Sequence, residues 1–180
     1  LDRNTSGLVV FGKKADSLRR LNQIFKSRDI EKFYLSICHG IIEKPLDLHG
    51  YMEKTELNGK IKTCITETKN HKNKAIHTQV VPQKYGEYEG KKYTLAEVRL
   101  LTGRMHQIRA HLSYIGHPIA GDSKYGGAEI IGLGIRNQML CANRIIFPQF
   151  FDDDVLANLS GKTFETEPDQ YFVKAVNNIF

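Results

Sequence analysis

Ala75-Ile76-His77-Thr78-Gln79-Val80-Val81 and Tyr93-Thr94-Leu95-Ala96-Glu97-Val98-Arg99-Leu100-Leu101 are two β-type runs, and what separates them decides the fold class. Between them lies the turn-forming region Gly86 to Gly90, so the two strands need no helical crossover. Working outward, Met105, Ile108, Leu112 and Ile115 recur at helical spacing, and Gly116 followed by Pro118 stops that helix. Gly121 to Gly127 reads as a loop and Leu140 to Phe147 as a strand. Thr166, Pro168 and Asp169 announce a last helix that buries Tyr171, Phe172, Ala175, Val176 and Ile179. Upstream, Gly7 to Phe11 predicts a short buried strand. Asp16 is expected to cap a helix with Leu18, Leu21, Ile24 and Phe25 on its apolar stripe. Phe33 to His39 returns to strand character and ends at Gly40, while Glu53 to Lys74 is polar and lysine-rich, as in a flexible hairpin or surface loop. The irregular alternation of strands and helices predicts an α+β fold, a mixed, mainly antiparallel sheet flanked by helices. Without an internal repeat or a linker, residues 1–180 read as a single domain.

Charge narrows the function classes. The net charge is +6, yet the segment from Phe150 onward holds six acidic residues against Lys162 and Lys174, so residues 1–149 carry a net +10. Such an excess attracts a polyanion at long range, and nucleic acid is the commonest polyanion of a cytoplasm. Cys38, Cys64 and Cys141 are odd in number, widely spaced and outside any C-x-x-C pair. That speaks against a disulfide framework or a thiolate metal site and for a reducing, cytoplasmic setting. No apolar run approaches the roughly 18 to 20 residues that span a bilayer, so no membrane partner is expected.

Three segments carry chemistry. Asp2 stands in Leu1-Asp2-Arg3-Asn4-Thr5-Ser6-Gly7, just before the first strand. Alone it reads first as a turn aspartate bonding its own backbone and only second as a nucleophilic carboxylate. An aspartyl-phosphate chemistry would want a second carboxylate where Asn4 stands, which leaves magnesium poorly provided for. Tyr34 lies on the strand Lys32 to Gly40, and Thr102 to Leu112 opens a helix with Arg104, His106, Arg109 and His111. His106 and His111 are five apart, which does not suit two zinc ligands on one helix face, so no metal is expected there. Their expected jobs are structural hydrogen bonds or RNA contacts. Asp122 is expected to fix its glycine-rich turn. Lys54, Lys60, Lys62, Lys69, Lys72 and Lys74 form either an RNA-facing arm or a solvated loop.

Leu1-Asp2-x-x-Thr5-Ser6-Gly7, Lys32-x-Tyr34, Gly103-Arg104-x-His106-Gln107-Ile108-Arg109-x-His111 and Gly116-His117-Pro118-Ile119-x-Gly121-Asp122-x-x-Tyr125-Gly126 occur in this order. Together they closely resemble the RluA-type RNA pseudouridine synthases, and Leu140-Cys141-Ala142, Ile146-Phe147-Pro148 and Leu159 to Phe164 resemble that family's late segments. The resemblance implies conversion of uridine to pseudouridine in ribosomal RNA, with transfer RNA as the alternative, and needs no cofactor or metal. It implies that Asp2 attacks the target nucleotide, Tyr34 stacks on the base and helps remove the C5 proton, and Arg109 pairs with Asp2. Arg3, Thr5, Arg104, Gln107 and Ile108 are the residues it places around the substrate, Arg104 and Gln107 either touching phosphate or acting as scaffold. Met105 departs from the Thr or Ser usual in the family, and the His-Arg that precedes Leu-Asp is absent, so the chain is expected to be a catalytic domain lacking its N-terminal part. Two rivals remain: an inactive RNA-binding module and an aspartate-based phosphotransferase.

Overall fold

The computed structural model describes the backbone of residues 1–57 and 60–180 and the side chains outside 55–62. Its organising unit is the hairpin of β5 (Lys74–Tyr88) and β6 (Lys91–Leu100), paired antiparallel from Thr78↔Leu100 to Tyr88↔Lys91. The turn is confined to Glu89 and Gly90, both at positive φ (49° and 71°), the backbone that matches the twist of the flanking strands. Gly86, read from sequence as part of the turn, is instead inside β5. A Cβ there would lie 2.0 Å from the carbonyl oxygen of Ile179, so this glycine admits the end of the last helix.

β2 (Glu31–His39) pairs with the other edge of β6, and β3 (Leu46–Leu57) with the other edge of β5. β4 (Lys60–Thr66) continues outward from β3, and β7 (Leu140–Ile146) from β2. β1 (Ser6–Gly7) and β8 (Thr163–Glu165) both pair with β7. The order is β1-β7-β2-β6-β5-β3-β4, with β1–β7 parallel and the other pairings antiparallel. The sheet is therefore mixed and mainly antiparallel, as expected.

Among the described residues three α-helices flank it: α1 (Ala15–Ser27), α2 (Gln107–Tyr114) and α3 (Gln170–Ile179). In β6, Tyr93 through Ala96 are buried in succession, followed by Val98 and Leu100, so both faces of this central strand are covered. Ile37, Val80, Leu112 and Phe172 join them in the main core. Each such side chain contributes about 1.5 to 3 kcal/mol by leaving water. Asp169 caps α3, its carboxylate accepting from the Phe172 backbone N–H at 2.8 Å. α1 closes a second cluster through Leu21 and Ile24, packed with Ile30, Ile145, Phe147 and Leu156.

Several local expectations are corrected. The strand read at Gly7 to Phe11 stops at Gly7, because β8 occupies the same edge of β7 from Arg144 to Ile146. Leu8 and Val10 then pack on the α1 cluster, while Val9 and Phe11 are exposed. Asp16 is not the cap of α1; Lys14 is, and Asp16 sits in the first turn, where the helix dipole favours it. Leu18 and Phe25 leave the buried stripe, and so does Tyr171 on α3. α2 starts only at Gln107, since His106 adopts left-handed backbone (φ 59°), so Met105 falls outside the helix and is exposed. Of its two expected forms the lysine-rich stretch takes the hairpin, β3 and β4 pairing antiparallel. Lys54, Lys69, Lys72 and Lys74 are exposed, and the side chains of Lys60 and Lys62 lie outside the described residues.

Candidate active site

Register across β1, β7 and β2 brings distant segments together. Gly7 pairs with Ala142, and Ala142 pairs with Tyr34, so the turn that carries Asp2 opens beside the tyrosine strand. Gly7 makes this approach possible: at φ 108°, a Cβ would lie 2.1 Å from the Ala142 carbonyl oxygen. β7 also carries one extra residue, Asn143, between the partners of Phe33 and Tyr34, a bulge that re-aims the chain at this point. The Asp2 turn is closed by Thr5 N–H donating to the Asp2 carbonyl at 3.0 Å, with Asn4 in left-handed backbone (φ 65°). Gln138 holds it from below, donating to the Arg3 carbonyl and, at 3.3 Å, to the Thr5 hydroxyl.

Arg109 enters from the first turn of α2. Its Nε and Nη2 donate to the two carboxylate oxygens of Asp122, both at 2.7 Å. The remaining Nη1 reaches Asp2 Oδ2 at 3.4 Å. Relative exposures of the side chains are 8% for Arg109, 1% for Asp122 and 20% for Asp2, so only the Asp2 end opens outward. Burial works against the Arg109 charge, but Asp122 and then Asp2 outweigh it and raise its pKa. The Tyr125 ring lies under the guanidinium at 5.1 Å.

Burial first, and the Asp2 charge second, push Tyr34 up to about 12. It is therefore a neutral phenol over the working range of most enzymes, which sets it against acting as a base from its anionic form. His106 accepts or donates with the Tyr125 hydroxyl at 2.9 Å, and its pKa is lowered, chiefly by burial. His111 pairs with Thr78 Oγ1 at 3.0 Å, and burial, aided by His49 and His77, lowers it to about 4. Both histidines thus make structural hydrogen bonds.

A cleft of about 310 Å³ joins these groups. Asp2, Thr5, Tyr34, Arg104, Gln107, Ile108 and Arg109 line it, so seven of the eight residues singled out from sequence share one surface. Arg3 is the exception: its side chain is exposed and outside the lining. Gln107 is scaffold. Its amide oxygen accepts from Thr102 Oγ1 and the Arg104 N–H, and its nitrogen donates to the His77 carbonyl and Thr78 Oγ1. At the turn only the backbone carbonyl of Asp122 acts, accepting from Tyr125 and Gly127 N–H; its carboxylate caps nothing there and has a second role, gripping Arg109. Sequence reasoning missed that second role, and it missed Phe25 and Lys32, which also line the cleft. The Lys-x-Tyr spacing was a signal for Lys32, because residues two apart on a strand share a face.

The family of RNA pseudouridylate synthases matches residues 1–114. RNA pseudouridylate synthase domain-containing protein 1 of Danio rerio is 37% identical over 128 residues, covering 69% of this chain and 44% of its own length. Ribosomal large subunit pseudouridine synthase C of Vibrio cholerae is 30% identical over 158 residues, covering 82% of this chain and 45% of its own. The chain thus spans less than half the length of these curated relatives. Among solved structures, Human RNA Pseudouridylate Synthase Domain Containing 1 is similar with a TM-score of 0.64 and 26% identity, over 92% of this chain and 73% of that one. With the motifs in order and the match covering more than half of its residues, the chain belongs to the RNA pseudouridylate synthase family.

Proposed function

We propose that this chain isomerises uridine to pseudouridine in RNA, with Asp2 as the catalytic carboxylate. The observation that carries the reading is the convergence of Asp2, Tyr34 and Arg109 on one cleft, although they lie on three separate segments. The reaction breaks the bond from ribose C1′ to N1 and forms one from C1′ to C5; a proton leaves C5 and one is gained at N1. Asp2 supplies the nucleophile, and Arg109, fixed by Asp122, faces it with positive charge. Tyr34 offers a ring face for the uracil and a neutral hydroxyl for hydrogen bonding. The cleft sits at the small end of ligand-pocket sizes, which suits one flipped nucleotide rather than a duplex. Unstacking that nucleotide costs a few kcal/mol, and Arg104 and Lys32 at the cleft offset part of it by meeting the backbone.

Ribosomal RNA is the proposed substrate and the cytoplasm the proposed compartment; none of the helices described is long and apolar enough to cross a membrane. The test is to map pseudouridine across total RNA with and without this protein. A uridine in ribosomal RNA modified only in its presence supports the proposal, modification confined to transfer RNA replaces the substrate, and no change at any uridine sinks the activity.

A further inference from the structure

On the β3–β5 pair, away from the cleft lining, three side chains meet that the proposed chemistry does not use. His49 and His77 are direct cross-strand partners, and their rings stack with centroids 4.0 Å apart and planes 24° apart. Asp47, two residues before His49 and so on the same face, reaches both. Its Oδ1 lies 2.6 Å from His77 Nε2, and its Oδ2 lies 3.2 Å from His49 Nε2. One ligand atom from each of the three residues falls within 4.8 Å of the others.

We propose that Asp47, His49 and His77 bind a divalent transition cation of the zinc type. Bonds of about 2.0 to 2.2 Å in a tetrahedral arrangement place ligand atoms roughly 3.3 to 3.5 Å apart, so the present spacings need only side-chain rotation. Two imidazoles and one carboxylate favour zinc, cobalt or nickel over magnesium or calcium, which prefer all-oxygen shells. With the cation on each Nε2, the neutral ring carries its single proton at Nδ1. Asp47 and His49 are exposed, which leaves a fourth position open to water. A Gln79 side chain also bonds Asp47, an outer contact of the kind that orients a ligand carboxylate.

The site is not isolated from the cleft. His77 N–H donates to Thr102 Oγ1 at 2.9 Å, and the His77 carbonyl accepts from Gln107 Nε2 at 3.1 Å. Thr102 and Gln107 hold the turn that presents Arg104, so a cation on His77 braces the strand to which that turn is tied.

The experiment titrates untagged full chain with Co²⁺, following the visible bands of tetrahedral cobalt, and with Zn²⁺ in competition with a chromophoric chelator. One cation per chain is expected, bound at about micromolar Kd, with affinity falling at least about 10-fold in His49→Ala. His71→Ala and Cys64→Ser, both exposed and outside the cluster, should bind as the unaltered chain does. Circular dichroism checks that each variant is folded; if His49→Ala is not, Asp47→Asn replaces it in the same comparison. Absence of saturable 1:1 binding below about 100 μM, equal affinity in the folded cluster variant, or displacement by millimolar Mg²⁺ would each overturn the assignment.

Discussion

Two charged clusters in this fold are mirror images. At the cleft a cation, Arg109, is held between two carboxylates, Asp2 and Asp122; on the β3–β5 pair a carboxylate, Asp47, is held between two imidazoles. The first is buried, with Arg109 at 8% exposure, and the second is open, with Asp47 at 56%. Removing one partner of a buried pair leaves an uncompensated charge out of water, which costs several kcal/mol. Water replaces a lost partner at an open pair, and such pairs contribute little. In the proposed chemistry the cleft is therefore rigid at one end, Asp122, and reactive at the other, Asp2, whereas the histidine cluster is free to rearrange around a ligand.

The largest effect should come from the reactive end. Asp2→Asn is expected to lower turnover by about 1,000-fold or more while RNA affinity changes only several-fold, because phosphate contacts dominate binding. Tritium release from C5-labelled uridine measures the first and a filter-binding titration the second. Appreciable residual turnover would remove Asp2 from its role. At the rigid end, Asp122→Asn should lower turnover about 100-fold and destabilise the fold by about 2 to 3 kcal/mol in urea, as Arg109 keeps Asp2 but loses its charged clamp. Wild-type turnover in this variant would mean that the clamp serves folding alone.

Tyr34→Phe keeps the ring and removes the hydroxyl, so binding should survive while turnover falls about 10- to 100-fold. Its raised pKa gives a second readout. The unfolded tyrosine ionises near 10 and the folded one near 12, so between those values the unfolded chain binds fewer protons. The stabilisation is complete below about pH 10 and is lost as pH rises toward 12, by about 2 to 3 kcal/mol in total. Urea denaturation across that window should show a steeper loss in the unaltered chain than in Tyr34→Phe, and parallel curves would contradict the buried neutral phenol.

The same contrast explains what sequence reasoning reached. The expected site residues sit in short contiguous motifs whose spacing is set locally by a turn, a strand face and a helix start, and seven of the eight share one surface. The Arg3 side chain falls outside the lining because a turn residue's side-chain direction depends on backbone detail such as the left-handed Asn4 next to it. The Asp122–Arg109 fork was missed because it joins a loop to a helix, 13 residues apart, through tertiary packing. His49 and His77 are further apart still and become neighbours only through strand register, which Gly50 disguises by interrupting the alternation inside β3. The early strand failed for a related reason: a partner strand from near the C-terminus competes for its edge.

The smallest effect should be Asp47→Asn measured in excess chelator. His77 and His49 hold the Asp47 carboxyl down to about 2, yet the pairing stands in open solvent where water substitutes for either imidazole. With any bound cation removed, the variant should melt within about 2 °C of the unaltered chain and turn over uridine at the same rate. Uridine turnover that persists in chelator would also count against the phosphotransferase reading, whose chemistry depends on magnesium. A marked loss of turnover in the folded variant, with chelator present, would instead mean that Asp47 acts on the cleft through His77 and the Thr102–Gln107 bracket without any cation. The open cluster would then belong energetically with the buried one, and the contrast between them would fail.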